Sequence, residues 1–92
     1  MKQILKVVKQ GEAYSVQSSK EESGQLKKCR IILQEPGGKY ENQYAADLLG
    51  NAATCKFYEN ELVVASLRFT VNEHNGNSYQ DILVNEILKL KN

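Results

Sequence analysis

Between Leu62 and Val71 the chain alternates with a period of two. Val63, Ala65, Leu67, Phe69 and Val71 form one wholly apolar face, while Leu62, Val64, Ser66, Arg68 and Thr70 form another that turns polar toward its end. That pattern predicts a half-buried strand with the odd-numbered face inward. It runs into Asn75-Gly76, a pair suited to a type I′ turn because both central positions need positive φ. A hairpin with that tip sets Phe69 opposite Ile82 and Leu67 opposite Val84, and on the reverse face Thr70 meets Asp81, Arg68 meets Leu83 and Asn72 meets Tyr79. Carried further, this register would oppose Ala65 with Glu86. A bulge near Asn85 removes the mismatch by turning Ile87 inward.

The same alternation runs from Leu26 to Glu35, with Cys29, Ile31 and Leu33 inward and Lys28, Arg30, Ile32 and Gln34 outward. Pro36-Gly37-Gly38 ends this strand with turn chemistry, and Tyr40 to Leu48 is expected as its antiparallel partner. Ile4 to Val16 reads as a long strand kinked or bulged at Gly11, followed by a polar loop over 17–25. Asn51 to Tyr58 is expected to make about two helical turns, with Asn51 as N-cap.

The predicted order is three strands, a short helix and two strands. It is the order of an all-β, five-stranded OB-fold Greek-key barrel with the helix between strands three and four, the kinked first strand pairing on both sides. A five-stranded open sheet with one packed helix is the structural competitor. The 92 residues make a single domain, 1–92, that should bury roughly 60–65% of its unfolded surface. Twelve basic and eleven acidic side chains give a net charge of +1, which points to neither disorder nor a polyanion-binding tail. The longest apolar run, Leu62 to Ala65, is far short of a membrane span, and no signal peptide is readable behind Met1, so a cytoplasmic location is expected. Cys29 and Cys55 have no cysteine neighbours at zinc-ligand spacing and are expected as small buried hydrophobes. No cofactor is implied. Catalysis is not expected either: there is no nucleophile elbow or Gly-Lys phosphate loop, the single histidine, His74, has no evident partner, and Glu21-Glu22 lie in a polar loop.

Leu49-Gly50, then the helical stretch Asn51 to Tyr58, Asn60-Glu61, the strand from Leu62 to Val71 and Asp81-Ile82-Leu83-Val84 together resemble the second half of bacterial and phage single-stranded DNA-binding proteins. They are similar also to a small related OB-fold family without assigned function. Ser23-Gly24-Gln25-Leu26-Lys27-Lys28 resembles the loop leading into strand two of those proteins. The chain departs from them in having Leu49 where an aromatic often precedes the glycine, and Asn60-Glu61 where Gly-Asp is usual. No glycine-rich or acidic tail follows Leu90 in the sequence. The resemblance implies single-stranded DNA (or RNA) as partner, a homodimer or higher oligomer formed through strand edges, and an accessory, phage-like or mobile-element role beside replication proteins.

An OB fold carries its ligand across strands two and three, bordered by the first loop and the last hairpin. Those places hold Lys20, Lys27, Lys28, Arg30, Lys39, Tyr40, Tyr44, His74 and Tyr79, and Arg68 points outward from strand four. Cations can track phosphates, and each stacked base contributes about 1–3 kcal/mol with little sequence preference. A bland reading accompanies each residue. Tyr40 and Tyr44 share a face that could be the core, Lys27-Lys28 could be a solvated strand start, and Arg68 could pair with Asp81. Tyr79 could simply brace the hairpin, and His74 could be only a turn residue. Sequence-tolerant, non-catalytic single-strand binding is the first expectation. The second is a protein-interaction module that uses a barrel edge or the Leu62/Val64 patch and has little affinity for nucleic acid.

Overall fold

One face of the strands is apolar at every second position, and it closes around a common interior. Leu5 and Val7, Cys29, Ile31 and Leu33, Ala46 and Leu48, and Val63 and Ala65 are all fully buried, joined by Val84, Phe57 and Ala53. Each buried Leu, Ile or Val contributes roughly 1.5–3 kcal/mol from removal of its side chain from water. The computed structural model describes residues 2–17, 24–38 and 40–90. Among them lie six strands and one helix: β1 (Lys2–Gln10), β2 (Tyr14–Gln17), β3 (Gln25–Gln34), β4 (Gln43–Leu49), α1 (Asn51–Thr54), β5 (Leu62–His74) and β6 (Asn77–Lys89). The protein is therefore all-β. Its single sheet runs β1-β5-β6-β4-β3-β2, and β1 also pairs with β3, so the pairings form a ring. The β4–β6 pairing, at Asp47 and Leu83, is parallel, and the others are antiparallel. No helix among the described residues is long and apolar enough to cross a membrane.

The expected first strand is divided in two. β1 leaves β5 at Lys6 and joins β3, with a register shift between Val7 and Lys9, and β2 then continues along β3 from Tyr14 opposite Lys28. The bend therefore begins at an extra residue near Val8. Gly11 is not among the positive-φ residues, and it closes the break by donating to the Arg30 carbonyl at 2.8 Å.

The β5–β6 hairpin has the expected register. Asn75 (φ 52°) and Gly76 (φ 80°) form its tip, and the pairs from Asn72↔Tyr79 through Leu67↔Val84 are as the turn dictates. The register shifts between Ser66, opposite Glu86, and Leu67, opposite Val84, so Asn85 is the extra residue and Ile87 faces Ala65. Phe69 and Val71, expected inward, are 51% and 61% exposed. They share the core-facing side of β5, but the hairpin has run past the ring there, since β1 accompanies β5 only as far as Ser66.

Other expectations are corrected. β4 begins at Gln43, because Glu35 and Asn42 close the preceding turn through an amide-to-carbonyl bond of 3.0 Å, which leaves Tyr40 outside the strand. Gln34 keeps the outward parity but is buried, its side chain donating to the Gly38 carbonyl and accepting from Gln43. α1 is one turn, and Gly50 (φ 64°), not Asn51, occupies its N-cap. The helix stops there because the Gln10 side chain donates to the Cys55 carbonyl (2.8 Å) and accepts from the Phe57 amide (2.7 Å). That holds the chain extended while Phe57 enters the core. Cys55 is exposed, and only Cys29 is the buried hydrophobe expected of both.

Candidate nucleic-acid interface

Directly paired residues in neighbouring strands present their side chains to the same face. Applied to the outer face, this links Arg30 of β3 to Asp47 of β4, Asp47 to Leu83 of β6, and Leu83 to Arg68 of β5. One row across four strands thus has an arginine at each end, about 14 Å apart at three strand spacings. The neighbouring row runs from Tyr14 of β2 through Lys28 to Leu49. Tyr79 lies four residues before Leu83 on β6 and so shares its face, with Asn72 opposite. Tyr14 and Tyr79 are both about half exposed and stand at diagonal corners of this surface, by the registers of β2 and β6. A shallow groove of about 230 Å³ between them is lined by Lys28, Asp47, Leu49, Thr70, Asp81, Ile82 and Leu83.

Asp47 dominates the local electrostatics. Its side chain is only 14% exposed, and it accepts from Arg30 Nε at 2.9 Å while Lys28 Nζ lies 3.8 Å away. One carboxylate therefore partly neutralises two cations. Arg30 nonetheless bonds through Nε, and its Nη nitrogens are not used in that contact. Arg68 is exposed and has no ion pair among the described residues. Asp81 instead accepts from the Asn72 amide, so the Arg68–Asp81 pairing considered from the sequence is not made.

The expected residues are thus divided. Lys28, Arg30, Arg68 and Tyr79 come together on the outer face. Lys27 is exposed but lies on the opposite side of β3, next to Ser15. Tyr40 is 92% exposed in the β3–β4 connection. Tyr44 turns to the interior side at the mouth of the ring, its ring edge-on to Phe69 at 6.0 Å between centroids and its hydroxyl donating to Glu35 Oε2 at 2.7 Å. That hydrogen bond raises the phenol pKa above its ordinary value, aided by partial burial and by the Glu35 charge. His74 ends β5 opposite Asn77, exposed. Lys20 and Lys39 lie outside the described residues.

Two participants escaped the sequence reading. Asp47 could have been found as an acidic residue on the outward parity of a strand paired to Arg30, had the β3–β4 register been known. Tyr14 could have been found as the aromatic flanking a bend in the first strand. Among the described residues no three His, Cys, Asp or Glu side chains gather as metal ligands would. No protein-family model, curated protein or solved structure matches the chain.

Proposed function

We propose that the protein binds single-stranded nucleic acid, DNA in the first place, without catalysis and with little sequence preference, as an accessory to replication, recombination or repair. The observation that carries this reading is the outer row bounded by Arg30 and Arg68 and flanked by Tyr14 and Tyr79. Arginines at both ends can hold a phosphate backbone, and half-exposed tyrosines offer π faces to bases. The ring itself is best read as an OB-type Greek-key barrel. With β1 and β2 counted as one bent strand, the strands close in the order first, second, third, fifth, fourth, and the proposed face includes the second and third. The resemblance to single-stranded DNA-binding proteins supports the same reading.

Asp47 favours a second reading, a protein-binding barrel in which Arg30 and Lys28 are merely paired. Anisotropy of a labelled oligo-dT of about 30 nucleotides separates the two. Under the first reading, affinity falls with salt at a slope of about −0.7 per phosphate contacted, and duplex binds more weakly. Asp47→Asn should tighten binding and steepen the salt slope by releasing Lys28 and Arg30, whereas Tyr79→Ala should weaken binding at every salt concentration. Absence of binding at about 50 mM salt would replace the first reading with the second.

A further inference from the structure

The lower half of the same sheet carries a different surface. On the outer face of β1, β5 and β6, Ile4, Val64 and Leu88 form one continuous cross-strand row. Leu62 adjoins it on β5, opposite Leu90, whose amide donates to the Leu62 carbonyl at 3.0 Å. Ile4, Leu62, Leu88 and Leu90 are all exposed, Leu88 by 63%. Contiguous aliphatic side chains of this kind on a sheet face mark a surface that is covered by something. Edge-to-edge pairing cannot cover it, because β5 already has β1 on one side and β6 on the other from Leu62 to Ser66.

Charge identifies the occupant. The row next to the aliphatic one is Lys2, Ser66 and Glu86, with Lys2 Nζ and Glu86 Oε2 3.0 Å apart around the central serine. A two-fold axis parallel to β5, lying in the plane of contact, sets β1 of one copy over β6 of the other. Lys2 then faces the Glu86 position of the second copy and Glu86 faces its Lys2, while Ile4 meets Leu88 and Val64 meets Val64. The patch is complementary to itself under that operation, as an isologous interface must be. We propose that this face docks a second copy of the chain, sheet against sheet, forming a two-fold dimer. The proposal stands on residues other than those of the nucleic-acid face and does not depend on that function.

Sedimentation velocity at about 100 μM protein tests it. The parent should sediment as a dimer, and Leu88→Glu as a monomer with its circular dichroism retained. Lys2→Glu and Glu86→Lys should each weaken association by about tenfold or more, since like charges then meet across the axis. An equimolar mixture of the two charge variants should dimerise again, because one copy now supplies two acids and the other two bases. Repair of a contact within one chain cannot produce that rescue. A monomeric parent, a dimer indifferent to Leu88→Glu, or a mixture no better than its components would overturn the proposal. The charge variants decide the matter even if Leu88→Glu fails to fold.

Discussion

The two halves of β5 obey one alternation and meet opposite fates. Near its base, Val63 and Ala65 are fully buried, while Phe69 and Val71, on the same side of the same strand, are more than half exposed. The difference lies in their neighbours. The base is flanked by β1 and closed over by β3 and β4, whereas beyond Leu83 the hairpin has only its own two strands. Alternation therefore reports which side of a strand a residue occupies, and closure of the ring decides whether that side is dry.

The comparison is broken most forcefully by truncation in each half. Ile31→Ala, within the ring, should cost about 2–5 kcal/mol by chemical denaturation, while Val71→Ala should stay within about 0.5 kcal/mol. Equal effects would mean that the hairpin tip is covered in solution. Gly76→Ala, at a positive φ with open space around the added methyl group, tests the tip alone. It should cost about 1–2 kcal/mol by chemical denaturation and appear as faster amide exchange from Phe69 to Gln80.

The smallest effect belongs to the junction of the two halves, where Tyr44 meets Phe69 and Glu35. Its phenol pKa is raised in the folded protein, so the neutral form is the one the fold favours. The associated stability is fully present below the unfolded value of about 10 and is lost as pH rises through the higher folded value. Absorbance titration should show a phenol ionising above the ordinary tyrosine range, and Glu35→Gln should lower it. Tyr44→Phe should remove that part of the alkaline decline.

The hairpin register, including the extra residue at Asn85, was legible because Asn75-Gly76 fixes the phase and period-two patterning carries it down both strands. The same was not true of β3 and β4. Their connection from Glu35 to Asn42 closes through Asn42 Nδ2 donating to Glu35 Oε1 and through backbone pairing, and no two-residue turn dictates that geometry. The pairing of Arg30 with Asp47 was therefore hidden, and so was the exclusion of Tyr40 from the strand. Tyr14 was missed for a related reason, since its place opposite Lys28 depends on how β1 bends near Val8 before β2 begins.

The amino-acid order by itself determined the strand class, the inward set Cys29, Ile31 and Leu33, and the pairing of β5 with β6, because these follow from neighbours along the chain and one turn. Tertiary structure alone decided that Arg30 and Arg68 end a common row, that Asp47 sits between them, and that Tyr44 leaves the outer face for the mouth of the ring. Those outcomes depend on strands far apart in sequence meeting edge to edge. The meeting is set by where the sheet curls and closes, which no local pattern encodes.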